Sequence, residues 1–265
     1  MNVKLNLFPG GRVKALTLSY DDGRIHDRRL VEIMNRHGIK GTFHLNSGFF
    51  GRDSYITEEE IGSLFTGHEV SAHTTTHPFL ELTPTEGIAT QLLDDRNKLE
   101  ELCGYPVRGM SYPFGTYDSR VLASLPALGI EYSRTTQSHG GFQLPSNWLE
   151  WHPTCHHRDM LAKGEEFLAL VPRYSRMQLF YLWGHSYEFD NNNNWEDMEK
   201  FCAMMGNHED IWYATNIEVL DYIQALKGLR FSVDQSRVYN PSATDVWVTA
   251  EGNAVLIPAG KYVKL

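Results

Sequence analysis

Two aspartates stand side by side in "TLSYDDG", Thr17 to Gly23, at the end of an apolar, β-prone run. Side chains alternate across a strand, so neighbouring aspartates there point apart unless the chain bends. Gly23 permits such a bend, and a cation between strand ends would offset the repulsion of Asp21 and Asp22. The segment "SAHTTTHPF" supplies His73 and His77, four apart, which a helical turn would set on one side where both can grip one ion. Each segment alone also has a bland reading: a polar turn for "DDG", a surface or helix-capping pair for the histidines. Taken together, two histidines and an aspartate form a three-ligand set that leaves a position open for water. It suits one divalent ion, with Zn2+ first and Co2+, Mn2+ or Ni2+ as other occupants. One aspartate can be the ligand and the other a base. Two further segments, "SYPFG" from Ser111 to Gly115 and "LWGHSYEF" with His185, end other strand-like runs.

Bringing four distant segments together requires a scaffold whose strand ends share one rim. Strand-like and helix-like runs alternate from "VKALTLSY" and "DRRLVEIMNRHG" through "GTFHLNS", "TEEEIGSLFTG" and "HEVSAH" to "IWYAT" and "NIEVLDYIQALKG". About seven such units with short connections predict a parallel barrel or a doubly wound sheet, architectures whose functional groups gather at strand C-terminal ends. Thr57 with Glu60 and Thr83 with Glu86 read as capping boxes, the second with Pro84 at the first helical position, and Asn216 reads as the cap of the last helix. "WLEWH" reads as a short aromatic strand, and "NNNN" at Asn191 to Asn194 as a turn entering a helix. After Leu229 the helical period gives way to alternation and turn residues, with a turn near Gly252 and Asn253. Residues 1–228 are expected to form the barrel, and 229–265 a small β appendage packed on it, too short for a core of its own.

Bulk properties narrow the partners. With 24 Lys and Arg against 33 Asp and Glu, the net charge of -9 disfavours nucleic acid and anionic membranes. No run approaches the roughly 20 apolar residues of a membrane span. Three widely spaced cysteines, Cys103, Cys155 and Cys202, contain no CxxC pair and indicate neither a disulfide framework nor a cysteine zinc site. With no signal peptide visible at the N-terminus, a reducing, cytoplasmic setting is expected. The oligomeric state is not legible.

The ordered quartet "TLSYDDG", "HTTTHP", "SYPFG" and "LWGH" resembles the motifs of polysaccharide deacetylases of the NodB-homology type, carbohydrate esterase family 4. The resemblance runs over roughly residues 12 to 225 and implies a distorted (β/α)7 barrel. It implies metal-dependent removal of acetyl groups from a sugar, oligosaccharide or polysaccharide, N-acetyl more than O-acetyl. By motif, Asp22, His73 and His77 would hold the metal, Asp21 would be the general base and His185 the general acid. A backbone N–H near Phe114, after Pro113, would face the oxyanion, while Phe114 and Trp183, with Tyr117 and Tyr187, are aromatic candidates for sugar contact.

Two departures stand out. The family's third motif carries an arginine where this chain has Ser111, leaving Arg108 as the candidate buttress of Asp21. The Asp-Trp pair of the fourth motif is replaced by "WHPTCHHRD", so His156, His157 or Asp159 is expected to orient His185, or else to belong to a surface cluster. These departures keep two alternatives open: a related hydrolase of non-peptide amides on a non-sugar substrate, and a non-catalytic carbohydrate-binding barrel.

Overall fold

Residues Lys14–Asp21 form strand β2, which is buried at every position, as expected for a strand flanked on both edges and covered on both faces. A computed structural model describes residues 2–171 and 176–265. In it, β2 pairs in parallel with β3 (Gly41–Leu45) and β8 (Gln178–Gly184), and β9 (Ile211–Tyr213) joins β2 along Lys14–Leu16. The sheet continues through β4 (Glu69–Ala72) and β5 (Gly109–Ser111) to β6 (Tyr132–Arg134), and on the other side to β7 (Cys155–His156). Trp151 N–H bonds the Ser133 carbonyl of β6, and Thr154 N–H bonds the Tyr181 carbonyl of β8. The segment from Trp151 to His156 therefore joins the two ends of the curl and completes a distorted barrel.

Helices α1 (Asp27–Arg36), α2 (Glu58–Leu64), α3 (Thr85–Cys103), α4 (Ser119–Ser124), α5 (Met160–Ala169), α6 (Ser186–Asn191), α7 (Trp195–Met205) and α8 (Asn216–Lys227) accompany the strands. Leu16, Leu18 and Tyr20 of β2 belong to one large apolar cluster with residues of α1, α3, α5 and α7. The alternate positions Thr17, Ser19 and Asp21 lie in a polar interior. There Thr17 meets Asn216 (2.8 Å), Ser19 meets His44 (2.7 Å), and Glu69 accepts from Thr42 (2.9 Å) and Tyr132 (2.7 Å). Strand periodicity carries this inward set to the rim, where β2 ends on Asp21 and β4 is followed by His73.

Several local expectations are corrected. The Thr57 and Glu60 capping box forms, but α3 begins at Thr85, and the Thr83 hydroxyl donates to the Phe79 carbonyl instead. The last helix is capped by Thr215 with Glu218, because Asn216 is buried and spends its side chain on Thr17 and Tyr181. "WLEWH" contains a 3-10 turn at Trp148–Glu150, and the strand follows at Cys155–His156.

Beyond the barrel, β10 (Arg230–Phe231), β11 (Arg237–Tyr239) and β14 (Tyr262–Lys264) form one antiparallel sheet. Strands β12 (Val246–Ala250) and β13 (Asn253–Ile257) form another with β1 (Val3–Lys4). The N-terminal strand thus shares a sheet with residues 246–257. Glu251 and Gly252 make the β12–β13 turn, both at positive φ. Val238, Val246, Val248 and Ile257 pack with Val219, Leu220, Tyr222 and Ile223 of α8.

Candidate active site

Asp21 and Asp22 reach the same cavity because the backbone leaves the strand at Asp22. Its φ is 81°, followed by 65° at Gly23. The bend expected at the glycine begins one residue earlier, on a side chain for which the left-handed region is costly. His73 and His77 meet by a different route from the helical turn expected. Residues 73–79 are irregular, Thr74 and His77 lie at φ 67° and 55°, and His77 N–H bonds the Thr74 hydroxyl at 3.1 Å. The imidazoles end 4.7 Å apart between centroids, and their Nε2 atoms lie 3.6 and 3.8 Å from Asp22 Oδ1.

This donor set fits a divalent cation. One ligating atom each from Asp22, His73 and His77 lie within 4.8 Å of one another. His73 Nδ1 is 2.9 Å from the Ser111 carbonyl, which only accepts, so Nδ1 carries the proton and Nε2 keeps a lone pair toward Asp22. Burial pushes the His73 imidazole down to about 3, overriding the attraction of Asp21, so the ring is neutral as a ligand must be. Burial also raises the Asp22 carboxyl; His185 opposes this and Asp21 adds to it, an imbalance that a cation at these donors would relieve.

Asp21 has a buried partner that sequence reading missed. Arg134, the last residue of β6, forms an ion pair with Asp21 Oδ2, and both side chains are almost wholly shielded from solvent. Burial alone would raise the Asp21 carboxyl, but Arg134 and then His73 hold it well below the usual carboxylate range. Ser111 and Arg134 are cross-strand partners in the β5–β6 register. The arginine expected at Ser111 is therefore supplied by the neighbouring strand. Ser111 Oγ donates to Asp21 Oδ1 at 3.2 Å. Arg108 cannot buttress Asp21: it precedes β5, at the opposite end of the barrel, and pairs with Glu131 (2.6 Å) and Asp221 (2.7 Å). A polar residue ending the run "IEYSR" was the signal available.

His185 follows β8, and Glu188 on the next turn accepts from its Nδ1 at 2.9 Å, leaving Nε2 unengaged by this carboxylate. The other Glu188 oxygen lies 3.1 Å from His156 Nε2 and 2.8 Å from His157 Nε2. His156 and His157 are buried, not a surface cluster, and share Glu188 with His185; Asp159 is exposed. The residue that replaces the missing acidic motif is thus Glu188, and the His-x-x-Glu spacing on a helix could have revealed it. Burial resists ionisation of Glu188, but hydrogen bonds from three imidazoles hold its carboxyl well below the ordinary range. Burial also works against a charged His185, yet Glu188, Asp21 and Asp22 outweigh it and raise its pKa.

A cavity of about 310 Å³ is lined by Asp21, Asp22, His73, His77, His185 and aromatic residues including Phe114 and Trp183. Trp183 covers the Arg134 guanidinium at 4.4 Å, shielding the ion pair beneath it. Pro113 is buried and Phe114 half exposed at φ 59°. Tyr187 lines the cavity, whereas Tyr117 does not and stacks instead on Tyr112, which does.

Fold and cluster together define a site at the strand C-terminal rim of a parallel barrel, where acidic and imidazole groups converge. Residues 10–133, just under half of the chain, match the family described as polysaccharide deacetylase. The chain is 26% identical to a chitin deacetylase of Pestalotiopsis sp. over 113 residues, 42% of this chain and 38% of that protein. It is 24% identical to a peptidoglycan-N-acetylglucosamine deacetylase of Listeria monocytogenes over 126 residues, 47% of this chain and 26% of that one. The matches therefore span about a quarter to two-fifths of those relatives. In fold it is similar to a Mycobacterium smegmatis structure assigned to the polysaccharide deacetylases (TM-score 0.63, 16% identity, covering 83% of this chain and 93% of that one). A family 4 carbohydrate esterase from Streptomyces lividans also shares the fold (TM-score 0.51, 12% identity, 77% and 93% covered).

Proposed function

We propose that this protein is a divalent-metal-dependent deacetylase that hydrolyses N-acetyl groups on hexosamine units of a carbohydrate. The observation that carries the reading is one cavity holding a three-donor cluster, Asp22, His73 and His77, beside an arginine-paired carboxylate and a glutamate-oriented histidine. A divalent ion, Zn2+ first, held by the three donors supplies Lewis acidity, acidifying water and polarising the acetyl carbonyl. Asp21, kept ionised by Arg134, accepts the proton of the attacking water. The backbone N–H of Phe114 is the proposed second donor to the developing oxyanion. His185, protonated on both nitrogens, gives its Nε2 proton to the departing amine while Glu188 holds Nδ1–H.

The test is metal content by elemental analysis, coupled to acetate release from N- and O-acetylated glycans and from small cyclic and linear amides. Expected are one divalent ion per chain and acetate release from hexosamines that disappears in His77→Ala and Asp21→Asn. Activity retained in both variants would falsify the reading, and turnover of the amides alone would move the substrate outside carbohydrates. Since Asp21→Asn strips a buried arginine of its anion, a melting curve accompanies that variant.

A further inference from the structure

The C-terminal strands carry a second cavity, of about 380 Å³, that shares no lining residue with the catalytic one. It lies on the sheet of β10, β11 and β14. Arg230, Tyr239 and Tyr262 are successive cross-strand partners there, and Arg237 stands opposite Lys264 two positions along. Side chains alternate along a strand, so these five share one face, while Phe231, Val238 and Val263 turn into the apolar cluster with α8.

This face serves folding poorly. Arg237 and Lys264 are like charges directly opposite each other, a pairing that destabilises a sheet. Among the described residues, the guanidinium groups of Arg230 and Arg237 have neither an ion pair nor a hydrogen bond, and both line the cavity. The neighbouring acid, Asp234, is spent in the β10–β11 turn, where it accepts from the hydroxyls of Ser232 (2.6 Å) and Ser236 (2.8 Å). Elsewhere acids are in excess, 33 to 24, and Arg28, Arg36, Arg96, Arg108 and Arg120 each pair with a carboxylate. Tyr262 stacks on Tyr239, with centroids 4.3 Å apart and planes 19° from parallel, and is 80% exposed, so the outer face of its ring is open.

Two unpaired guanidinium groups call for an anion, and their planar forks match a carboxylate. An open aromatic face beside them suits the C–H face of a sugar ring. A cavity of this volume, at the lower end of ligand-site sizes, takes a discrete ring rather than a lipid surface.

We infer that this face is a second binding site, specific for carboxylated sugar units of an acidic glycan. Arg230 and Arg237 take the carboxylates, Tyr262 stacks on a ring, and Lys264 adds to the local positive field. The site goes beyond the proposed deacetylation, because it uses no group of the catalytic cavity and holds the protein to an acidic polysaccharide whatever reaction that cavity performs.

The experiment measures binding of tetragalacturonate, which carries a carboxylate on every ring and no acetyl group, to the whole chain by titration calorimetry. Uncharged cellotetraose, inorganic phosphate and phosphatidylglycerol vesicles are the comparisons. Binding is expected to weaken as ionic strength rises to about 0.3 M. Arg230→Gln combined with Arg237→Gln, and separately Tyr262→Ala, should each raise Kd about tenfold. His77→Ala should leave Kd unchanged, and the arginine variants should leave acetate release from N-acetylglucosamine oligomers unchanged. Equal affinity for cellotetraose, a Kd unmoved by the arginine substitutions, or binding lost in His77→Ala would overturn the site. Phosphate bound as tightly as tetragalacturonate, with no effect of Tyr262→Ala, would overturn the sugar assignment. Capture by the vesicles alone would overturn it in favour of a membrane surface.

Discussion

At the scale of single residues, the site pairs the charge that it buries deepest. Asp21 lies beneath the cavity only because Arg134 neutralises it and Trp183 shields the pair. Arg134→Met is therefore expected to cost about 3–5 kcal/mol in urea unfolding, the range for breaking a buried pair, and to abolish acetate release as the Asp21 carboxyl takes up a proton. Glu188 is the counterpart at the other wall. Its charge helps raise the pKa of His185, so the neutral Glu188→Gln should let His185 lose its proton at lower pH. The alkaline limb of the kcat profile should then move downward in pH; an unmoved limb would rule out Glu188 as the orienting group.

At the scale of elements, regular strands deliver the groups and irregular joints aim them. Four residues at the rim, Asp22, Thr74, His77 and Phe114, occupy the left-handed region, strain that the surrounding bonds must hold in place. Asp95 on α3 supplies part of that hold, accepting the backbone N–H groups of His73 (3.0 Å) and Ser47 (2.8 Å) through its two oxygens. Asp95→Ala would orphan the Ser47 N–H, a loss of about 1–3 kcal/mol for a buried group left unsatisfied, while the His73 N–H keeps its bond to the Leu45 carbonyl at 3.0 Å. It should also weaken metal affinity in a competition titration, because His73 would lose one of the bonds that hold its backbone. Thr215 is a contrasting case. Its capping box with Glu218 starts α8 below the site, so Thr215→Ala should cost about 1 kcal/mol of stability and leave deacetylation unchanged.

For the whole molecule, the polar interior makes stability depend on pH. Burial raises the Glu69 carboxyl from 4.5 to about 7, against the pull of the Ile217 N–H and the Tyr132 hydroxyl. The folded state then binds this proton more tightly than the unfolded chain, so the contribution of Glu69 is fully present below pH 4.5 and is lost as pH rises toward 7. Asp95, raised to about 7, has the same sign. Asp21 and Glu188, held low, have the opposite sign and lose their contribution in acid. Glu69→Gln should therefore narrow the stability difference between pH 5 and pH 7.5 in urea melts; an unchanged difference would mean that Glu69 is ionised in the fold.

The sequence by itself determined a parallel fold of alternating strands and helices, since that alternation is local, with the motif resemblance narrowing it to a barrel, and it pointed to the Asp, Asp, His, His and His set, since these residues sit in short contiguous motifs. It also marked the C-terminal β segment, because the period of the hydrophobic pattern changes there. It could mark Arg134 as a polar strand end but could not pair it with Asp21, because an arginine 23 positions from Ser111 becomes its neighbour only through strand register. Nor could it separate Arg108 from the site, since which end of a strand faces the cavity is a property of the barrel. The partnership of Glu188 with three histidines, and the stacking of Phe79 on Phe114, were likewise decided by tertiary structure. Pairing of buried charge and contact between loops depend on distances through space, which sequence separation does not encode.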